Sequence, residues 1–240
     1  ANYLYSIGLR PFSTMYMVEN GKTYTLSYDV ISSYTIENMH IELDSEMSDQ
    51  NFFISEKMSM RGVDVAQILF YPFIYDSIEG ALTVIDEVEL TVHESIGSTD
   101  DNLTRDVPIS SEFEKILSSL VVNLNVEDRL VDSMGSILYI CGGDSYSNSL
   151  LQDLIQWRKE QGYKVYTATT SQIGQNVSSI KNYIHDAYMN WENPPEYIVL
   201  VGDTGGSFPI STSTSSGGAS DYDYTLLEGD DLLPEMFVGR

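Results

Sequence analysis

Ile137-Leu138-Tyr139-Ile140-Cys141 and Tyr197-Ile198-Val199-Leu200-Val201 are two short apolar runs, each closed by glycine and aspartate: Gly142-Gly143-Asp144 after the first, Gly202-Asp203 after the second. A nearly continuous apolar run of this length suits a parallel strand covered on both faces. Between the two runs, Leu150, Leu151, Leu154, Ile155 and Trp157 recur at helical spacing, and Gly162 fits the position just past a helix C-terminus. Lys164 to Ala168 reads as a further strand. Val177, Ile180, Ile184, Ala187, Tyr188 and Trp191 mark a second helical stripe, stopped by Pro194-Pro195. The alternation is βαβαβ, which predicts an open, mostly parallel sheet with helices on both faces. Ligands of such sheets bind beyond the carboxyl ends of the strands, where Cys141-Gly142-Gly143-Asp144 and Gly202-Asp203 fall. Residues 205–220 are rich in Gly, Ser and Thr and read as a mobile loop leading to Asp221-Tyr222-Asp223-Tyr224.

Upstream the pattern changes. Asn20-Gly21 between Met15-Tyr16-Met17-Val18 and Thr23-Tyr24-Thr25-Leu26 predicts a β-hairpin. Thr35 to Leu43 and Gln67 to Phe70 read as strands. Ala81 to Val84 and Val88 to Val92 read as a pair, with Val88, Leu90 and Val92 on one face of the second. Several short strands at this spacing predict an antiparallel β-sandwich over residues 1–105. Residues 96–110 are polar and turn-rich, a linker. Phe113, Ile116, Leu117 and Leu120 predict a short amphipathic helix within a connecting segment, 106–135, and the α/β part occupies 136–240.

The 240 residues carry 12 Lys+Arg against 36 Asp+Glu, a formal net charge of −24. Phosphate backbones and anionic lipid repel such a chain, so nucleic-acid binding is not expected, nor is docking on a membrane surface. Hydrophobic residues make up 42% of the chain, enough for a core and against a disordered reading. The longest apolar runs fall well short of the 18 residues a spanning helix needs, so no membrane insertion is expected. The start at Ala1 reads as a mature or trimmed N-terminus. Tyr, Ser and Thr are abundant and lean toward an extracellular or cell-surface protein. Asn102-Leu103-Thr104 and Asn176-Val177-Ser178 are sequons that matter only in a glycosylating host.

Four features invite chemistry. Cys141, the single cysteine, ends a buried strand in the place where active sites form, but a nucleophilic thiolate needs a base. Only His40, His93 and His185 exist, the first two in the β-rich part, so Cys141 reads better as a small buried residue. Gly142-Gly143-Asp144 lacks both the dinucleotide spacing and the P-loop lysine, and its aspartate opposes phosphate. Asp221, Asp223, Asp230 and Asp231, with Glu228 and Glu235 nearby, supply hard oxygen ligands and make a candidate structural calcium site, although the spacing is not that of an EF-hand. Trp157 and Trp191 read as core. No complete catalytic set is present in these residues.

The order and spacing of several blocks resemble the gingipain-type cysteine peptidases, family C25, of the clan that shares the caspase fold. The blocks are Ile137-Leu138-Tyr139-Ile140, Leu151 to Tyr163, Ile180-Lys181-Asn182-Tyr183-Ile184 with Ala187-Tyr188 and Trp191, Pro195 to Asp203, Ser220 to Tyr224, Gly229-Asp230-Asp231, Pro234-Glu235 and Phe237-Val238-Gly239-Arg240. The part before them resembles the family's β-rich propeptide more loosely, through Arg61-Gly62, Tyr71-Pro72, Tyr75-Asp76 and Gly80 to Val84. Phe113 to Asn123 resembles the segment joining propeptide to catalytic domain.

The resemblance implies the first subdomain of a peptidase preceded by a latency propeptide, in a protein that is secreted. In the family the catalytic His follows a glycine and the catalytic Cys ends a strand, both well after the Val-Gly-Arg block. Neither lies within this chain, which by itself is expected to be inactive, and the roles do not pass to Cys141 or His185. Family propeptides place a basic side chain in the specificity pocket, which makes Arg61 and Arg105 candidates, and Arg105 is also a candidate maturation point. The end at Arg240 is consistent with self-processing or with truncation. The expected partners are the remainder of the same peptidase, as one chain or as a second chain after Arg240, and protein or peptide substrates. No cofactor beyond calcium is expected. A surface transpeptidase (sortase) of a secretion system shares the fold and is the alternative within the family. A non-catalytic surface binding module is the alternative outside it, and a flavodoxin-like or receiver-like domain a weaker one.

Overall fold

The computed structural model describes residues 11–38, 51–98, 105–215 and 218–240. They fold as a mixed α/β protein with several sheets, some parallel, divided into two compact units. Unit 1 is Ala1–Lys57, Asp64–Leu103 and Leu120–Asn123. Unit 2 is Met58–Val63, Thr104–Ser119 and Leu124–Arg240.

Unit 1 holds two antiparallel arrays. Strands β1 (Phe12–Met17), β2 (Lys22–Ile36) and β3 (Phe52–Ile54) are followed by β4 (Met58–Met60), which belongs to unit 2, and then by β5 (Val63–Phe70), β6 (Phe73–Asp76) and β7 (Ala81–Ile96). One array runs β1-β5-β3, the other β2-β7-β6. The turn at Asn20-Gly21 is present, but it does not join a hairpin: β1 pairs with β5 and β2 with β7. Each strand finds its partner elsewhere in the chain, and local turn chemistry does not reveal which. Ala81 to Val84 and Val88 to Val92 are likewise not a pair. They are one 16-residue strand that matches β2 along its length, the ribbon absorbing one irregularity between Val30 and Ser33. Leu26, Tyr28 and Val30 face Val92, Leu90 and Val88 across it, as alternation requires. Phe52 stacks on Phe70 at 4.5 Å and meets Tyr28 at 4.0 Å. Of the expected strand from Thr35 to Leu43, Thr35 and Ile36 end β2, while residues 39–43, His40 among them, lie outside the described residues, as do residues 99–104 of the polar linker.

Unit 2 is built on a parallel sheet. After β8 (Ile109–Ser110) comes α1 (Ser111–Leu120), which buries Phe113 and Leu117. The side-chain oxygen of Ser110 accepts from the Phe113 amide at 3.1 Å and so caps this helix. β9 (Leu130–Val131) pairs with β8. Then follow β10 (Ser136–Cys141), α2 (Ser149–Glu160), β11 (Lys164–Thr169), α3 (Val177–Asn190) and β12 (Tyr197–Val201). A short hairpin, β13 (Ser213–Ser215) with β14 (Gly218–Ser220), precedes β15 (Phe237–Gly239). The sheet order is β11-β10-β12-β15, all parallel.

Period-two alternation along β10 divides the core. Leu138 and Ile140 pack with Ile198 and Leu200 against Ile180, Ile184 and Tyr188 of α3. Ile137, Tyr139 and Cys141 pack on the other face against Leu151 and Ile155 of α2. Each buried aliphatic side chain of these layers contributes about 1.5–3 kcal/mol of transfer free energy. Asn148 and Asn176 cap the two helices, their side chains accepting from the amides of Leu150 and Ser179. The expected stripe on α2 is too wide: Leu150 is 76% exposed and Trp157 49%, its ring covered by the Arg158 guanidinium at 4.7 Å rather than by the core. Trp191 does pack inward, against Tyr166 and Tyr183.

Candidate functional site

The chain reaches β11 on one side of β10 and β12 on the other, so the strand order reverses at the carboxyl ends of β10 and β12, the place where open α/β sheets hold ligands. Here that crevice is filled by the chain itself. Asp203 to Ile210 fold back as a strap: the Asp203 amide donates to the Phe208 carbonyl at 3.1 Å and the Ile210 amide to the Asp203 carbonyl at 2.8 Å. The expected mobile loop of 205–220 is thus, in its described part, a strap followed by a hairpin. The strap lies so close that a Cβ at Gly142 would sit 2.5 Å from the Phe208 carbonyl oxygen, and one at Gly202 would run into the same atom. The Gly142 amide donates to the Val201 carbonyl at 3.0 Å, which removes it from any phosphate cradle.

Cys141 is completely buried, on the α2 side of the sheet. Burial pushes its thiol pKa up, and a hydrogen bond with Ser145 opposes this only in part. A thiol in such surroundings is neutral and inert. His185 lies on the exposed face of α3, the helix that covers the opposite side of the sheet. His93 is in unit 1, its ring nitrogen 2.6 Å from the Ser27 hydroxyl.

The four aspartates proposed for calcium do not converge. Asp221 accepts two hydrogen bonds from Arg240, which hold its carboxyl below the usual range. Asp223 accepts from the Ser213 hydroxyl. Asp231 accepts from the amides of Ser59 and Leu233 at 2.8 and 2.7 Å, and Asp230 is exposed. Among the described residues no three His, Cys, Asp or Glu side chains are grouped to hold a metal ion, so the four aspartates do not form one ligand set. Beside them, Glu235 is fully buried. Its Oε2 accepts from the Leu227 amide at 2.8 Å, and its Oε1 has no partner among the described residues. Burial first, and the nearby Glu228 and Asp231 carboxylates after it, push its pKa up to about 7.

A dense polar arrangement lies at the opposite, amino-terminal edge of the sheet. Arg61 and Gly62 form the two-residue turn between β4 and β5, with φ of 50° and 68°. Arg61 is 1% exposed. Its guanidinium donates to the carbonyls of Pro195 (2.8 Å), Pro194 (3.1 Å), Pro108 (3.2 Å from Nη2, 3.3 Å from Nε) and Glu235 (3.4 Å). It also lies over the Phe113 ring at 5.1 Å and 3.8 Å from the Glu196 carboxylate. That carboxylate is buried too, and it accepts from both the amide and the hydroxyl of Ser110 at 2.8 and 2.7 Å. Arg129 closes the turn from outside by donating to the carbonyls of Arg61, Gly62 and Val107. Gly62 is required twice: its φ is left-handed, and a Cβ would strike the Arg105 carbonyl.

Arg61 and Arg105 therefore belong to the amino edge, and the Arg105 guanidinium is tied to the Tyr188 carbonyl in the last turn of α3. Arg240 belongs to the carboxyl edge, where it also donates to the Ile210 carbonyl at 3.1 Å. Sequence reasoning missed Glu196 and Ser110. The one available signal was an acidic residue after Pro194-Pro195, directly before an apolar strand.

Residues 132–240 match the family model of peptidase family C25, and this stretch is a gingipain-type cysteine peptidase region. Lys-gingipain of Porphyromonas gingivalis is 26% identical over 192 residues, covering 76% of this chain and 11% of the relative. Gingipain R1 of the same organism is 22% identical over 195 residues, covering 78% of this chain and 19% of the relative. The chain thus spans only a small part of the length of these relatives. Both alignments take in more than residues 132–240, so they extend upstream of the C25 region. Two solved structures are similar at lower coverage. The Arg specific cysteine proteinase gingipain R shares 23% identity at a TM-score of 0.38. The complex of Porphyromonas gingivalis RgpB pro- and mature domains shares 24% at 0.39. Each covers 44% of this chain and 24% of its own.

Proposed function

We propose that this chain is the N-terminal portion of a secreted, gingipain-like cysteine endopeptidase, in which residues 1–105 serve as a folding and latency propeptide and residues 136–240 begin the catalytic domain. The observation that carries the reading is the alignment of most of this chain, upstream part included, with a small fraction of Lys-gingipain. The chemistry is peptide-bond hydrolysis by a Cys/His pair located beyond residue 240. The thiolate adds to the scissile carbonyl, backbone N–H groups hold the oxyanion, and the imidazolium protonates the departing amine. Water then releases the acyl group from sulfur. The inert surroundings of Cys141 support placing the nucleophile elsewhere.

The test is to express the longer protein and assay peptide amides ending in Lys or Arg, before and after removal of the N-terminal part. Thiol-dependent hydrolysis that rises on removal supports the reading. Failure to cleave any such peptide, with the protein folded and the N-terminal part gone, overturns it.

A further inference from the structure

The guanidinium of Arg61 donates five hydrogen bonds to four backbone carbonyls that come from three separate stretches of unit 2: Pro108, Pro194-Pro195 and Glu235. An aromatic face and a buried carboxylate complete the enclosure. Two of the walls are held by contacts other than the arginine. Glu196 is held by Ser110 and by two sheet bonds, from its own amide to the Ser136 carbonyl and from the Phe237 amide to its carbonyl. Phe113 is braced by Phe237 at 5.5 Å. Fixed carbonyls around a planar fork select a guanidinium over an ammonium, which has three donors instead of five and no flat face for the ring. The ligand side is equally shaped. Arg61 accepts a left-handed φ, uncommon outside glycine, and this backbone presents its side chain at the tip of a tight turn.

The chain leaves unit 1 after Lys57, gives Met58–Val63 to unit 2, and returns to unit 1 at Asp64. We propose that the amino-terminal edge of the C25 region is a built docking site for an arginine-glycine turn, and that Arg61 is the anchor holding the N-terminal part to residues 104–240 when the connection between them is cut. The site is at the end of the sheet opposite the strap-filled crevice. The proposal concerns attachment alone and goes beyond the peptidase reading, which stands or falls on activity.

The experiment inserts a site for a sequence-specific protease after Asp101 in the full chain. The chain is cut, and the pieces are followed by size-exclusion chromatography and by their dissociation constant. The cut wild-type pieces are expected to elute together at low micromolar concentration. Arg61→Ala and Arg61→Lys are both expected to weaken the association at least tenfold, the lysine giving no rescue. If the uncut Arg61→Ala chain does not fold, the same constant is measured on Arg61→Met/Glu196→Gln, which keeps the side-chain volume over Phe113 and leaves no unpaired charge. Separation of the wild-type pieces, or an unchanged constant in a folded variant, overturns the anchor.

Discussion

Arg240 grips Asp221 through two nitrogens, Nε to Oδ2 at 2.9 Å and Nη2 to Oδ1 at 2.7 Å, and so ties the end of β15 to the start of the acidic loop. Both side chains are about one-fifth exposed, so solvent screens the pair only partly. Asp221→Asn is expected to cost about 1 kcal/mol. Because Arg240 depresses the Asp221 pKa, this contribution is present above the ordinary aspartate value and is lost as pH falls through the lower, folded value. Urea unfolding of the two proteins at pH 7 and pH 3 checks both the size and the sign.

Glu235 behaves in the opposite sense. Its pKa rises from 4.5 to about 7 on folding, so the native chain holds the proton more tightly and stability declines as pH rises from about 4.5 to about 7, then levels. The full effect is on the order of 3 kcal/mol. Glu235→Gln keeps an acceptor for the Leu227 amide and cannot ionise. It is expected to match wild type near pH 4.5 and to exceed it by a widening margin up to pH 7. A difference that stays constant across that range would refute the assignment.

The strap over the carboxyl edge leaves no room beside Gly202. Gly202→Ala is expected to destabilise unit 2 by about 1–3 kcal/mol, the usual range for forced overpacking. Hydrogen exchange at the Asp203 and Ile210 amides, which bond within the strap, should accelerate in the variant while the amides of β10 stay protected.

Cys141 is expected to resist thiol reagents in the native chain and to react on unfolding. In the longer protein, Cys141→Ala should leave peptide hydrolysis intact and cost only a modest amount of stability. Loss of hydrolysis with the fold preserved would return Cys141 to the active site.

In the two-sided core, Leu138→Ala is expected to cost about 2–5 kcal/mol, because Leu138 is completely buried between Ile198 and the residues of α3. Thermal unfolding followed by circular dichroism measures it.

The parallel unit was legible because its code is local. Five apolar residues in a row identify β10 and β12, and a 3.6-residue stripe ended by a nearby glycine or proline identifies α2 and α3. What escaped was pairing at a distance. Asn20-Gly21 announces a turn but not that β1 will choose β5 and β2 will choose β7. Leu150 and Trp157 sit beside Leu151 and Ile155 in sequence, and only the packing of α2 on the sheet decides which of them turn inward. The surroundings of Arg61 were hidden for a different reason. Its partners are mostly main-chain carbonyls, which every residue possesses, so no residue type marks them. Likewise the acidic residues after Ser220 looked like a ligand set because composition records carboxylates and not the separate amides, hydroxyls and guanidinium that hold them.

The passage of Met58–Val63 into unit 2 has a consequence for heredity. A recombination event that replaced the first hundred residues as a block would carry away Arg61 and leave Glu196 and its ring of carbonyls facing whatever turn the new block supplied. The interval from Met58 to Val63 and the interval from Pro194 to Glu196, far apart in the gene, supply the two sides of one contact.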